Sequence, residues 1–318
     1  MVIPLHNKRD FIGRTIASVL DQTLPPAEVI VVDDGSTDDG ADIVRGLADP
    51  RIHLIGQGQR GAGFARNRGV AEAREPWVAL IDADDLWRRD HLETLGELVR
   101  SFRHVDAVAT GWREARDAMA IDLEAAPEPA PRGRMLDFFR EQEAAPFHAS
   151  SIAIRRTAFL RTSGFGPHAI GEDVEFWIRF ALDHGIAISD RKTSIYIRGT
   201  GGSMERAQQD MAAGLPVPAS PVLATLDAAI GSASHAARRS DIRAYADRTR
   251  LQYARALVYH GRGREARRML AAVHGRSGAR TGLYLLAHMP SSGLRAMARC
   301  WSLARRATRR RRERQGTH

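Results

Sequence analysis

Residues 78–85 read Val-Ala-Leu-Ile-Asp-Ala-Asp-Asp. Four consecutive apolar residues predict a short strand buried on both faces, as in a parallel sheet covered by helices. Asp82, Asp84 and Asp85 follow at once. Clustered carboxylates repel one another, and burying them unpaired is very costly. A chain with this stretch therefore needs a strand whose end opens onto positive charge. Hard divalent ions such as Mg²⁺ or Mn²⁺ take carboxylate oxygens and share them with substrate phosphates. Open α/β sheets bind ligands at the carboxyl ends of their strands, where these aspartates fall. The competing reading is a solvated acidic turn capping the helix that begins near Asp90. An isolated Asp-x-Asp favours that reading, so the decision rests on the rest of the chain.

The rest of the chain repeats the same unit. Val2–Leu5 reads as a first strand. Phe11, Ile12, Ile16, Val19 and Leu20 recur at helical spacing, and Pro25-Pro26 closes that segment. Glu28–Val32 is a second strand ending in Asp33-Asp34-Gly35-Ser36. Ile43, Val44 and Leu47 mark a short helix, and Ile52–Ile55 a third strand. Gly61-Ala62-Gly63 opens a helix that carries Ala65, Arg66 and Asn67. Leu92, Leu95, Leu98, Val99 and Phe102 line one face of another. Strands alternating with helices predict an α/β fold with a mainly parallel sheet between helices. Residues 113–134, rich in Ala, Pro and charge, read as a loop excursion. Ser150–Ile154 reads as a strand, Gly171-Glu172-Asp173 as a helix start, and Ile195–Ile197 as a last short strand.

Composition narrows the class. The chain has 318 residues, enough for one large domain or two smaller ones. Its one cysteine, Cys300, excludes an intrachain disulfide and suits a reducing compartment. No secretory leader pattern and no bilayer-length apolar run are visible, so a cytoplasmic location is expected. The formal net charge of +9 suggests an anionic partner.

Four features remain: Asp33-Asp34-Gly35-Ser36, the run Gly61–Gly69, Asp82-Ala83-Asp84-Asp85, and Gly171-Glu172-Asp173 with Trp177 and Arg179 on the same helix. Each alone has an ordinary explanation. Asp33-Asp34 suits a turn or helix cap, Arg66 a solvated surface, and Glu172-Asp173 a helix dipole. In this order and spacing they resemble a family 2 glycosyltransferase of the GT-A fold, from about Val2 to Ser203.

The resemblance implies an inverting, hexosyltransferase-type enzyme with a nucleotide-sugar donor, a UDP-sugar being favoured. It implies a carbohydrate or lipid-linked acceptor, as in cell-surface polysaccharide or glycolipid assembly. The nucleotide-sugar site would draw on Pro4, His6, Asn7, Asp33, Asp34, Gly61, Arg66, Asn67, Asp82, Ala83, Asp84 and Arg198. Asp34 would meet the base or ribose, and Arg66 a phosphate as a fork of donors. Asp84 and Asp85 would hold the divalent cation, Mg²⁺ or Mn²⁺. Asp173 would be the general base, with Glu172 orienting it or the acceptor. One departure is visible: Thr200 stands where the family often has histidine, after Arg198 and Gly199. A non-catalytic nucleotide or polyanion binder on the same scaffold, or a nucleotidyltransferase, are the alternatives.

The expected domains are a catalytic one over 1–205 and a helical region over 206–318. Gly214–Pro221 reads as a linker. Ile242, Tyr245, Thr249, Tyr253 and Leu257 then share a helix face, and His260–Gly263 breaks it. After Pro290, Leu294, Met297, Trp301 and Ala304 form an apolar stripe among arginines, and Arg309–Arg312 and Arg314 follow. Two readings stand open: an anchor on the cytoplasmic face of an anionic membrane, or a packing helix with a solvated tail. The stretch lacks the aromatic interleaving or module of a nucleic-acid binder, and no nucleic acid is expected.

Overall fold

The structure is a computed structural model that describes residues 1–116, 121–124, 133–141, 146–168, 171–202, 221–275, 278–290 and 293. The chain divides into two compact units, Met1–Arg206 and Ala207–His318.

The first unit begins with β1 (Val2–Leu5), β2 (Val29–Asp34) and β3 (Ile52–Gln57), which pair in parallel in that order. The crossovers are α1 (Arg9–Leu20) and α2 (Gly40–Gly46), and α3 (Ala62–Glu72) follows β3. All four residues of β1 are buried, the pattern of a strand covered on both faces. α1 turns Ile12, Ile16 and Val19 inward at helical spacing, and none of the three is exposed. Each such side chain contributes roughly 1.5–3 kcal/mol by leaving water. They join Ile3, Leu5, Val31, Ile81, Trp87, Leu95 and Leu98 in the main core.

β4 (Trp77–Ala79) lies beyond β1, and Leu80 next to it bridges Val2 in parallel. The remaining elements are β5 (Leu86–Trp87), α4 (His91–Ser101), β6 (Ala107–Ala115), β7 (Gly133–Met135), β8 (Ile152–Arg155), α5 (Arg156–Leu160), α6 (Glu172–Asp183) and β9 (Ile186–Ile197). They extend the sheet in the order β4-β8-β6-β9-β5, with β7 on β9. β8 runs antiparallel to both neighbours, whereas β6 and β9 are parallel. The expected α/β class with helices packed on the sheet is the observed one, and the sheet itself is mixed.

Several boundaries differ from the sequence expectation; β4 stops at Ala79 instead of running on to Ile81, and β2 and β3 extend to Asp34 and Gln57. β9 has 12 residues, not three. Its polar stretch Ser189–Lys192 lies beside register shifts at Thr110, Gly111 and Trp112 of β6, and that irregularity hides the alternation. Arg113–Ala115 belong to β6 and Gly133–Met135 to β7, so the excursion is narrower than expected; residues 117–120 and 125–132 lie outside the described ones. Ala149–Ser151 form a short 3₁₀ turn ahead of β8, so Ser150 and Ser151, the first two residues of the stretch read as strand, belong to that turn.

The second unit contains α7 (Pro221–Gly231), α8 (Arg239–Tyr259), α9 (Gly263–Ala271) and α10 (Gly278–Leu286). Gly261 takes φ +75° in the break between α8 and α9, a conformation that favours glycine. Ala254, Leu257, Val258, Ala266, Leu270 and Ala287 form its core. Arg250 is buried and pairs with Asp227 and Asp247. The linker residues 214–220 and, apart from Gly293, the tail from Ser291 lie outside the described residues. No helix among the described residues is long and apolar enough to cross a membrane.

Candidate active site

The carboxyl ends of β1 and β2 bring His6, Asn7, Asp33, Asp34 and Gly61 together. Asp34 is 3% exposed. Its Oδ1 accepts from Arg60 N–H and Gln57 Nε2, both at 2.8 Å, and its Oδ2 accepts from Gly61 N–H at 2.7 Å. The carboxylate thus fixes the turn into α3, where Gly61 takes φ +98°. Asp33 accepts from Ser36 N–H at 3.0 Å and holds the neighbouring turn. His6 Nδ1 faces the Asp34 carbonyl at 3.0 Å, so it donates, leaving Nε2 to accept from Asn7 and Gln59 amides at 3.3 Å. Asn7 sits at φ 51°, a left-handed conformation asparagine tolerates, and accepts from Thr37 N–H at 2.8 Å. Pro4 lies inside β1, buried, opposite Val32.

After β4, the acidic turn meets cations that the chain itself supplies. Arg66, on α3 and 3% exposed, donates to Asp82 at 2.6 Å and to Glu172 at 3.2 Å. It is neither the solvated arginine nor a freely presented phosphate fork: both terminal nitrogens are committed to carboxylates. Lys8 lies 2.7 Å from Asp84 and donates to the Thr200 carbonyl at 2.8 Å. Thr200 Oγ1 donates to Asp84 at 2.6 Å, so the residue replacing the family's histidine still reaches the acidic turn.

Asp85 departs from the expectation. It is 0% exposed, and its oxygens accept from the Ser150 hydroxyl at 2.5 Å and Ile197 N–H at 3.1 Å. A carboxylate turned inward with both oxygens engaged does not face a metal shared with substrate. The metal assignment to Asp85 is corrected accordingly. Ala83 is buried in the core.

Glu172 and Asp173 open α6 after Gly171, which takes φ +75°. Asp173 Oδ1 accepts from Val174 N–H at 2.8 Å. Burial pushes the Asp173 carboxyl above its ordinary value, against the pull of Arg66. Burial, then the neighbouring Asp173 charge, raises Glu172 in the same way. Gly63 packs closely where α3 meets α6: a Cβ there would lie 3.2 Å from Glu172 Cγ and 3.1 Å from Phe165 Cβ. Asn67 donates to Phe165 O at 2.9 Å and accepts from Phe165 N–H at 2.8 Å, which makes it a tie between segments. Arg198 is exposed and pairs with Glu114 at 2.6 Å. Sequence reasoning missed Lys8, His148 and Ser150. Nothing local marks them, because their partners are distant in the chain.

Among the described residues no group of three or more His, Cys, Asp or Glu side chains gathers as a metal cage. Asp82 and Asp84 offer hard oxygens with side chains 30% and 14% exposed. Two accessible carboxylates fit Mg²⁺ or Mn²⁺, which commonly take one or two carboxylates and complete their shell with water and phosphate.

A family model described as glycosyl transferase family 2 matches residues 1–162. A teichuronic acid biosynthesis glycosyltransferase, TuaG of Bacillus subtilis (strain 168), is 43% identical over 96 residues, covering 29% of this chain and 38% of that protein. The succinoglycan biosynthesis protein ExoO of Rhizobium meliloti (strain 1021) is 42% identical over 146 residues, 45% of this chain and 37% of its own length. The chain thus spans well under half the length of these two relatives. Staphylococcus aureus TarS 1-349 in complex with UDP-GlcNAc superposes with TM-score 0.61 at 17% identity, over 95% of this chain and 91% of that one. The mannosyltransferase PcManGT of Pyrobaculum calidifontis, in complex with GDP-Man and Mn²⁺, gives 0.58 at 20% identity, over 93% and 82%. These structural likenesses carry the fold, and the family match carries the membership: the chain belongs to glycosyl transferase family 2 and has the GT-A fold.

Proposed function

We propose that this protein is an inverting glycosyltransferase that moves a sugar from a nucleotide-sugar donor to an acceptor hydroxyl. One observation carries the reading: Arg66 joins the acidic turn, through Asp82, to the helix start that bears Glu172 and Asp173. A leaving-group site and a base site then share one buried hinge.

The chemistry follows from these positions. His6, Asp34 and Gly61 shape the loop that receives the nucleoside. Asp82 and Asp84 face the diphosphate end. When bound there, a divalent cation supplies positive charge to the leaving diphosphate. Lys8 adds positive charge beside Asp84. Asp173, as carboxylate, takes the proton from the acceptor hydroxyl as that oxygen attacks the anomeric carbon. Glu172, held by Arg66, keeps Asp173 and the acceptor in register. Displacement in one step inverts the anomeric centre and forms no sugar–enzyme intermediate. A nucleotidyltransferase would have no use for Asp173 at this place.

The relatives named for teichuronic acid and succinoglycan biosynthesis support a role in assembling surface polysaccharide or glycolipid. TarS with UDP-GlcNAc supports a UDP-sugar, and PcManGT with GDP-Man keeps a guanosine donor in the test. The tail beyond Ser291 is proposed to hold the enzyme at an anionic membrane surface. A thermal-shift screen of nucleoside diphosphates with Mn²⁺ tests the reading. UDP or GDP should raise the midpoint more than AMP or inorganic phosphate does. Equal shifts for all four would contradict it.

A further inference from the structure

Asp85 sits one residue beyond Asp84 but faces the interior. Its oxygens join two segments far away in sequence, through Ser150 at 2.5 Å and Ile197 N–H at 3.1 Å. Ser150 is fixed in turn. Its Oγ accepts the Asp82 N–H at 3.0 Å, and its carbonyl accepts the Trp87 indole N–H at 2.6 Å and the Ser194 hydroxyl at 2.9 Å. The Thr15 hydroxyl lies 2.9 Å from both the Ala83 and Asp85 carbonyls and ties the turn to α1. His148 Nδ1 is 3.7 Å from Asp85, but burial pushes its pKa down to about 4, so the ring is neutral near pH 7 and supplies no countercharge. Burial, then the neighbouring Asp84 and Asp82 charges, push the Asp85 carboxyl well above its ordinary value against the hydrogen bonds from Ser150 and Ile197, so placing an acid here costs stability. Its partners indicate what the carboxylate does.

Three residues after Ile197, the chain turns back onto the acidic turn. Arg198 and Gly199 follow Ile197, and Thr200 then donates to Asp84 at 2.6 Å while its carbonyl accepts Lys8 at 2.8 Å. The two segments therefore meet twice: beneath the surface through Asp85 and Ile197, and at the surface through Asp84 and Thr200.

We infer that Asp85 and Ser150 are positioning residues that hold the Asp82–Asp84 turn against residues 198–202, and so set the grip on a nucleoside diphosphate that neither side chain touches. The inference rests on the reading of the acidic turn as the donor site. It replaces a metal-ligand role for Asp85 with a role that acts through Asp82, Asp84 and Thr200.

Titration calorimetry of the full chain with UDP and, in parallel, GDP, each with Mn²⁺, tests it. The variants are Asp84→Asn, Ser150→Ala, Asp85→Ala and Asp85→Asn, each checked for folding by circular dichroism and unfolding midpoint. Ser150→Ala and Asp85→Ala should weaken binding about 10-fold, and Asp85→Asn, which keeps an acceptor for Ile197 N–H, should recover to within about 3-fold of the parent. In a Thr200→Val background, Ser150→Ala should cost less than it does alone, because the route through Thr200 to Asp84 is cut and only the direct hold on Asp82 N–H remains. Ser150→Ala decides the matter if Asp85→Ala does not fold. Parent-like binding by a folded Ser150→Ala chain overturns the inference, as does an undiminished loss in the Thr200→Val background. In either case, loss of binding in Asp84→Asn keeps the donor reading intact. If the parent chain binds neither nucleotide, the donor reading falls and the inference falls with it.

Discussion

Asp82 and Glu172, 90 residues apart in sequence, share one buried guanidinium: Arg66 donates to the first at 2.6 Å and to the second at 3.2 Å. Desolvation opposes the Arg66 charge, but the flanking carboxylates outweigh it and hold the guanidinium firmly protonated. Arg66→Met strips the partner from both carboxylates. It should destabilise the first unit by roughly 2–3 kcal/mol, less than a fully buried triad would lose because Asp82 is partly solvated. Urea unfolding checks this, and a change below about 0.5 kcal/mol would assign Arg66 a surface role instead.

Asp173→Asn keeps the size of the side chain and removes its basicity. Turnover should drop by about 10²-fold or more while the donor binds as before. Steady-state kinetics alongside donor titration separates the two. Near-normal turnover would move the base to Glu172 or elsewhere.

The same residue sets a pH dependence. Asp173 works as carboxylate, and burial raises its pKa above the ordinary 3.8. Activity is therefore full above the raised pKa and is lost as pH falls through it. The acid limb of the turnover profile should lie at higher pH than an exposed aspartate gives, and it should be absent from the residual activity of Asp173→Asn. A limb that persists unchanged in that variant belongs to another group.

Gly69 closes the glycine-rich run for a packing reason. A Cβ there would overlap the Val2 side chain, where α3 lies on β1. Gly69→Ala should cost about 1–3 kcal/mol through forced movement of that strand. Chemical denaturation measures it, and a neutral result would mean that α3 leaves room for a methyl group above Val2.

The tail makes a separate prediction. The full chain should co-sediment with anionic liposomes at low salt, release as salt is raised, and ignore neutral liposomes, because exposed charges are screened within about 10 Å at 0.1 M. A chain ending at Met289 should stay in the supernatant. Equal behaviour of the two chains would leave the tail as a packing helix with a solvated end.

What was legible in the sequence was local. The strand ends carrying Asp34 and Asp82–Asp85, and the helix starts at Gly61 and Gly171, announce themselves through periodicity and turn chemistry. What was not legible depends on distant partners. Three clustered aspartates implied a cation, and the chain already places Arg66 and Lys8 beside two of them, drawn from two other segments. Asp85 reads like its neighbours until Ser150 and Ile197 are seen to face it. The sequence shows only the last three residues of β9 because its polar middle, Ser189–Lys192, breaks the alternation, and pairing with β6 overrides that pattern.

The most direct test of the central claim is titration of the protein with UDP or GDP in Mn²⁺ and again in excess chelator. A leaving-group site built on Asp82 and Asp84 predicts tight binding with metal, weakening by at least about 10-fold in chelator, and loss of the metal effect in Asp84→Asn. Affinity that is the same with metal and with chelator would contradict it.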